Sequence, residues 1–407
     1  MRAGPSKGPD RARRAEPFEY LQSMRAVLHC HIGRFLSKST PPELSNFGES
    51  PGRAGGLPIE LNGVLLKRQA NFSWLTAGGI NLIGIATEMG GTSLLVTERA
   101  KYLLTTNVEA PRMIEEEEVE RLGFQVRVFP WYDDREAALV TDLAGDGAIG
   151  CDVPWANAVN VAEDVMRLRY SLTPDEIERY RWLGEKTSRA AEQVLLDARR
   201  GEKECAVIGR LSAELWKDRI DPIGVMGAAD DRIARFRHCI PMERPIDRIF
   251  MLSVNARKGG LVVCLTRFVH FGTLPEPLRR QYEANVYVDC VFMANTRPGT
   301  PAREIFQKGV EAYREKGYPE EWTLHHQGGP IGYQPRDYRA HGGTPDLVAP
   351  NQPFCWNPSI TGTKSEDTIL ATADGPELIT RPIAFPTLSL EVGGRRFVRP
   401  AMLKKDA

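Results

Sequence analysis

Four residues, Thr173-Pro174-Asp175-Glu176, constrain this chain more than any others, because they divide it into two differently patterned halves. They form a capping box with proline at the first helical position. The Thr173 hydroxyl can accept from the backbone N–H of Glu176, and the Glu176 carboxylate can reach back. Ile177, Tyr180, Leu183, Thr187, Ala190, Ala191, Val194, Leu195 and Ala198 then recur at helical spacing, and Gly201 supplies a stop. A long helix begins a new domain here.

Before it, strands alternate with helices. A strand-like run over 72–75 precedes a turn at 76–79. Strands over 92–97 and 101–105 are joined by a charged turn. An acidic helix over 109–122, a strand over 126–129, a helix over 134–143 and a strand over 148–151 follow. That order predicts an α/β layer, assigned to 57–168. After the capping box, helices are predicted near 203–219, 277–294 and 301–316. Strands are predicted over 248–254, 260–267, 352–360, 367–372 and 377–379. Helix pairs around a curved, mostly antiparallel sheet make this an α+β domain, assigned to 169–400. Residues 1–56 are rich in Gly, Pro, Ser and charge and read as a disordered extension. The run AVLHCHIGRFL inside it is compatible with one turn or strand.

Bulk properties exclude several classes. The chain has 407 residues, long enough for two domains, and 42% of them are hydrophobic, ample for a core. Lys plus Arg and Asp plus Glu are 53 each, so no global field favours nucleic acid or an anionic membrane. No apolar run reaches the ~18 residues that span a bilayer. The basic N-terminus lacks the apolar core of ~7–15 residues of a signal peptide. Seven cysteines without a CxxC pair argue against a disulfide framework or a zinc ribbon and fit thiols in a reducing cytoplasm.

Three segments carry the chemistry: 252–267 (LSVNARKGGLVVCLTR), 324–336 (LHHQGGPIGYQPR) and 356–368 (WNPSITGTKSEDT). In order and spacing they resemble the pitta-bread family of aminopeptidase P, prolidase, methionine aminopeptidase and creatinase. Ser253 and Cys264 keep an eleven-residue spacing, with Thr266-Arg267 behind them. The glycine turn through Gly332, Asn357-Pro358-Ser359 and Glu366-Asp367 complete the frame. NFSWLTAGG resembles the start of a creatinase-type N-terminal domain. The resemblance runs over about 60–395 and implies a pitta-bread domain preceded by a creatinase-type α/β domain. It also implies a cytoplasmic homodimer acting on a small-molecule substrate, with no nucleic-acid or membrane partner.

The peptidases of that family hold two metal ions with two Asp, one His and two Glu. The matching positions here are Ser253, Cys264, Gly329, Asn357 and Glu366. One carboxylate cannot offset two dications, so no metal and no cofactor are expected. Gly329 is expected to leave room where an imidazole stood. Creatinase, the family's precedent for chemistry without metal, implies His238 as proton shuttle and Arg336 as a carboxylate grip. His325 and Glu366 would orient the reacting group, with Asn357, Cys264, Trp356 and Lys364 lining the substrate site. His325 and His326, adjacent on an extended segment, are expected on opposite sides, with only His325 entering.

Several alternatives stay open. Cys264 could pack, act as nucleophile, or join a softer zinc site with Cys355 and one of the histidines. Glu366 could pair with Lys364 or Arg267. His238 and Arg336 could be packing or loop residues. The reading is a metal-independent, creatinase-like hydrolase or lyase acting on a C–N bond of a small polar, carboxylate-bearing molecule. Its rivals are a catalytically silent binding module, as in the large subunit of the histone chaperone FACT, and a peptidase of Xaa-Pro type with an altered metal site.

Overall fold

Alternation of apolar side chains before position 168 does assemble a sheet. The computed structural model describes residues 60–406, so the readings of 1–56 lie outside the described residues. These residues divide into two compact units, one of 60–83 with 87–168, the other of 84–86 with 169–406.

In the first unit, strands β1 (Leu61–Arg68), β2 (Met89–Thr97), β3 (Lys101–Thr106), β4 (Phe124–Phe129), β5 (Ala148–Cys151) and β6 (Val159–Asn160) lie in the order β4-β3-β2-β1-β5-β6. Strands β2 to β5 fall where the sequence places them; β1 was not foreseen. Helices α1 (Gln69–Leu75), α2 (Ala110–Glu115) and α3 (Glu136–Ala144) connect strands of this sheet, and α4 (Ala162–Leu168) follows β6. Two expectations are corrected. The run over 72–75 is helical, every residue of α1 being buried, and periodicity cannot separate a short buried strand from a short buried helix. The acidic helix ends at Glu115, because Glu118 takes φ +50° and the chain turns towards β4.

The second unit opens with α5 (Pro174–Asp197), capped as its sequence dictates. The Thr173 hydroxyl accepts from the Glu176 N–H at 3.4 Å, and the Glu176 carboxylate accepts from the Thr173 N–H at 2.8 Å. Helix α6 (Glu204–Trp216), strand β7 (Asp221–Ala229), the short α7 (Asp231–Arg235), strands β8 (Ile249–Lys258) and β9 (Leu261–Phe271), and helices α8 (Glu276–Asn295) and α9 (Ala302–Glu315) follow. The remaining strands are β10 (Gly328–Pro330), β11 (Gln352–Trp356), β12 (Ser359–Ile360), β13 (Thr363–Lys364), β14 (Asp367–Thr372), β15 (Gly375–Leu378), β16 (Thr387–Val392), β17 (Arg395–Pro400) and β18 (Leu403–Lys405). The main sheet runs β10-β11-β14-β9-β8-β7, with β15 on β14 and β18 parallel to β9. Every residue of β9 is buried, as a central strand covered on both faces requires.

A charged core ties these elements together. Arg267 donates to Asp367 (2.9 Å), Glu192 (3.3 Å) and the Thr380 carbonyl (2.8 Å), all out of water. Arg399 bridges Asp289 (2.7 Å) and Asp367 (2.9 Å). Burial pushes the Asp289 carboxyl up to about 6, against the pull of Arg399. The two residues of the Thr-Arg tail therefore serve different ends. Arg267 holds the fold, while Thr266 faces the site.

Gly184 lets α5 seat against Ile379, just past β15. A Cβ there would meet the Ile379 carbonyl oxygen at 2.3 Å, a backbone atom that cannot swing aside. Gly184→Ala should therefore destabilise by about 1–3 kcal/mol through overpacking, although alanine is the better helix former by about 1 kcal/mol. Urea denaturation of the variant checks the sign.

Candidate active site

Glu366 is the carboxylate around which the site is built. It lies between β13 and β14 and is 3% exposed. Its Oε2 accepts from Ser253 Oγ on β8 (3.0 Å), Thr266 Oγ1 on β9 (2.6 Å) and Lys364 Nζ on β13 (2.8 Å). Its Oε1 receives one weak donor, the Cys355 thiol at 3.6 Å. The register opposes Ser253 to Thr266, which is why two hydroxyls from neighbouring strands reach one oxygen. Burial pushes the Glu366 carboxyl up, but the Lys364 ammonium, hydrogen bonds from Lys364 and Thr266, and Arg336 outweigh it and hold it at about 2. Of the two pairings left open by the sequence, Glu366 takes Lys364; Arg267 belongs to Asp367.

Lys364 is itself buried, its side chain 4% exposed. One ammonium thus neutralises the carboxylate from inside the pocket. The five positions that resemble metal ligands do not fit a dinuclear centre here: the only charged donor among them is one carboxylate, its charge paired with Lys364 and its Oε2 taken by that cation and two hydroxyls. Cys264 is buried on β9, its backbone N–H given to Thr368 Oγ1, its thiol against that of Cys355. Burial, Cys264 and Glu366 push the Cys355 thiol well above its ordinary range, so it is protonated and unsuited to attack. Asn357 is buried, its N–H donated to the Gln327 carbonyl and its Oδ1 without a partner.

Gly329 does not leave a hole. Its φ is +148°, and a Cβ would meet the Tyr338 carbonyl oxygen at 2.6 Å. The 338–340 segment closes over it, with the Ala340 N–H given to the Gly328 carbonyl. The expected enlargement is therefore corrected: backbone fills the space. The crevice lined by Phe236, Arg237, His325, Ser359, Thr363 and Lys364 has room for about one water. Trp356 is also corrected. It is fully buried, stacked on Phe292 at 4.7 Å, with Nε1 donating to Thr296 Oγ1, and is a core residue rather than a wall.

Three histidines meet beside Lys364. His238 Nε2 lies 3.2 Å from His325 Nε2, and the rings of His325 and His326 stack at 4.3 Å. The expectation that these neighbours face apart is overturned. The 3-10 turn Glu321–Leu324 ends immediately before them and Gly328 takes φ +102° just after, so the segment is no regular strand. Gln327 fixes it, its side-chain amide donating to the Trp322 and His325 carbonyls. Burial, then Lys364, then the other two imidazoles push His325 down to about 2. Burial, then Arg336 and Arg339, push His326 down to about 4. His238 is lowered by burial and Lys364. The cluster is neutral near pH 7.

Arg336 is placed at the floor of this region. Its Nη1 donates to the Gly329 (3.0 Å) and Cys355 (2.6 Å) carbonyls, so one nitrogen is committed to backbone. Sequence reasoning missed His326 as a partner of His238. It also missed Arg237, which lines the crevice and binds Glu321 and Ser359. The adjacent pairs Arg237-His238 and His325-His326 were the available signal. A roomier cavity of about 340 Å³ lies between β14, β15 and β17, beside Arg381, Arg395 and Arg396, and contains none of the histidines.

Residues 178–373 match metallopeptidase family M24. The Xaa-Pro dipeptidase of Lactobacillus helveticus is 23% identical over 244 residues, which are 56% of this chain and 65% of that protein. The chain spans less than two thirds of the curated relatives it matches, 64% for an uncharacterized peptidase of Staphylococcus aureus. An Xaa-Pro dipeptidase structure from Bacillus anthracis superposes with a TM-score of 0.70 at 17% identity, covering 95% of this chain and 100% of that one. The N-terminal domain of the FACT complex subunit SPT16 from chickpea (Cicer arietinum) gives 0.67 at 12%, covering 90% and 97%.

Two outcomes test the ion pair. Lys364→Met leaves a buried carboxylate unpaired and should cost about 3–5 kcal/mol, most of it recovered in the Lys364→Met/Glu366→Gln double variant. Because the Glu366 pKa is depressed from 4.5 to about 2, its contribution is present above pH 4.5 and lost as pH falls towards 2, by about 3 kcal/mol. Urea denaturation across that window should show the loss in the wild type and not in Glu366→Gln.

Proposed function

The chain carries a pitta-bread domain of the creatinase, aminopeptidase P and prolidase family, and from that premise we propose that it hydrolyses a C–N bond of a small polar substrate without a dinuclear metal centre. The observation that carries this reading is the neutral His238–His325 pair, 3.2 Å apart, beside a carboxylate already neutralised by Lys364. A neutral imidazole can take a proton from water and return it to a departing nitrogen. His238 is the shuttle; His325 holds it by the Nε2 contact. Lys364 presents an N–H⁺ donor to the oxygen on which charge develops. Glu366 Oε1, with only a weak thiol donor, accepts an N–H of the substrate. The remaining nitrogens of Arg336 grip a carboxylate, with Asn357 beside it. Cys264 packs against Cys355 and orients nothing. Lyase chemistry on the same bond would instead take the proton from the neighbouring carbon, form a C=C bond there and return the proton to the departing nitrogen, with no water.

A second reading, a silent binding module, is favoured by how little room the crevice leaves and by the likeness to a chaperone subunit domain. The Xaa-Pro dipeptidases among the relatives supply a third, a peptidase dependent on added metal. The homodimer implied by the family belongs to the same proposal.

The separating experiment uses chelator-treated protein against a panel of N-linked amino and amidino carboxylates. Turnover should survive chelation and fall about 10²–10⁴-fold in His238→Ala. The base must be neutral, and burial and Lys364 lower its pKa, so activity should fall only as pH drops below 6.5. Turnover that appears solely with Mn²⁺ would support the peptidase reading, and none at all would support the binder.

A further inference from the structure

His238, His325 and His326 each offer one ring nitrogen, and the three atoms lie within 4.8 Å of one another. We propose that these imidazoles form a mononuclear site for a borderline divalent transition metal, Zn²⁺ being the type ion, separate from the five positions of the peptidase centre. Zinc binds imidazole nitrogen at about 2.0–2.1 Å, so two such nitrogens on one tetrahedral ion stand roughly 3.3 Å apart. His238 and His325 already hold their Nε2 atoms at 3.2 Å. One edge of the coordination tetrahedron is therefore present before any ion arrives. The buried Nδ1 atoms of His325 and His326 have no hydrogen-bond partner, so both rings keep donor capacity that the fold does not use. His238 is the exposed member of the set; His325 and His326 are half-buried.

Three neutral imidazoles suit zinc, cobalt, nickel or copper and do not suit the harder magnesium, calcium or manganese ions. Three protein ligands also leave a fourth position for water. Lys364, Arg336 and Arg339 are the nearby charges that oppose a cation; the Lys364 charge is offset by Glu366. These charges weigh against a second dication more than against a single one held by three imidazoles. The consequence for catalysis rests on the proposed reaction: a metal on His238 occupies the lone pair that moves the proton, so bound zinc silences turnover.

The test is binding itself, on the full chain stripped with chelator. Calorimetry with Zn²⁺ should give one ion per chain, and Co²⁺ should produce the visible bands of a tetrahedral complex. His238→Ala, a surface change that spares the thermal melt, should weaken Zn²⁺ at least about tenfold. His325→Ala/His326→Ala should abolish the cobalt spectrum. Mn²⁺ should not bind. The sequence also holds His29-Cys30-His31, so His29→Ala/His31→Ala is the control and should leave the site intact. No binding by the wild type, or binding unchanged in His238→Ala and in the double variant, overturns the proposal. Because binding is read without turnover, its failure leaves the proposed reaction standing, and failure of that reaction leaves the metal site standing.

Discussion

An ammonium 2.8 Å from a carboxylate, both almost entirely out of water, anchors the candidate site in the second unit. Either charge alone would be costly there, and the pair is tolerated because Ser253 and Thr266 complete the shell of the same oxygen. The rest of the site follows from it. A carboxylate held at about 2 is an anion at every working pH, and its charge is balanced within the protein. The local field that a pair of dications would require is gone.

The backbone enforces the same outcome. Gly329 sits under the carbonyl of Tyr338 with no space for a Cβ, so a ligand side chain at that position would require the 338–340 segment to move. The Cys264 and Cys355 side chains fill the neighbouring volume. Beside them lies the edge where His238, His325 and His326 meet. Arg267, Asp367 and Arg399 keep the sheet and helices together and do not line the crevice.

Much of this was legible in the residues. The capping box at Thr173 located the start of α5 because it is a local device, complete within four residues. Strands β5 and β14 were read to the residue, since short apolar runs between turn signals leave little latitude. The short helix α1 was misread because seven buried residues carry no period. Strand β7 was missed because Gly224 and Gly227 dilute its pattern. In the site, the pairing of Lys364 with Glu366 could be anticipated from their spacing across the short turn into β14. Three things could not. The stacking of His325 on His326 depends on φ +102° at Gly328, the closure over Gly329 depends on a segment nine residues further on, and the burial of Trp356 depends on Phe292 from a distant helix. Each is a tertiary fact with no local signature.

The account turns on whether the Lys364–Glu366 pair takes the place of a dinuclear centre. Crystals grown with excess Mn²⁺ and measured at the manganese absorption edge decide it, because this hard ion prefers carboxylate oxygen to imidazole. The expected map has no anomalous peak between Ser253, Cys264 and Glu366, and Lys364 Nζ remains in contact with Glu366. Two peaks there, with Lys364 turned away, would contradict the account.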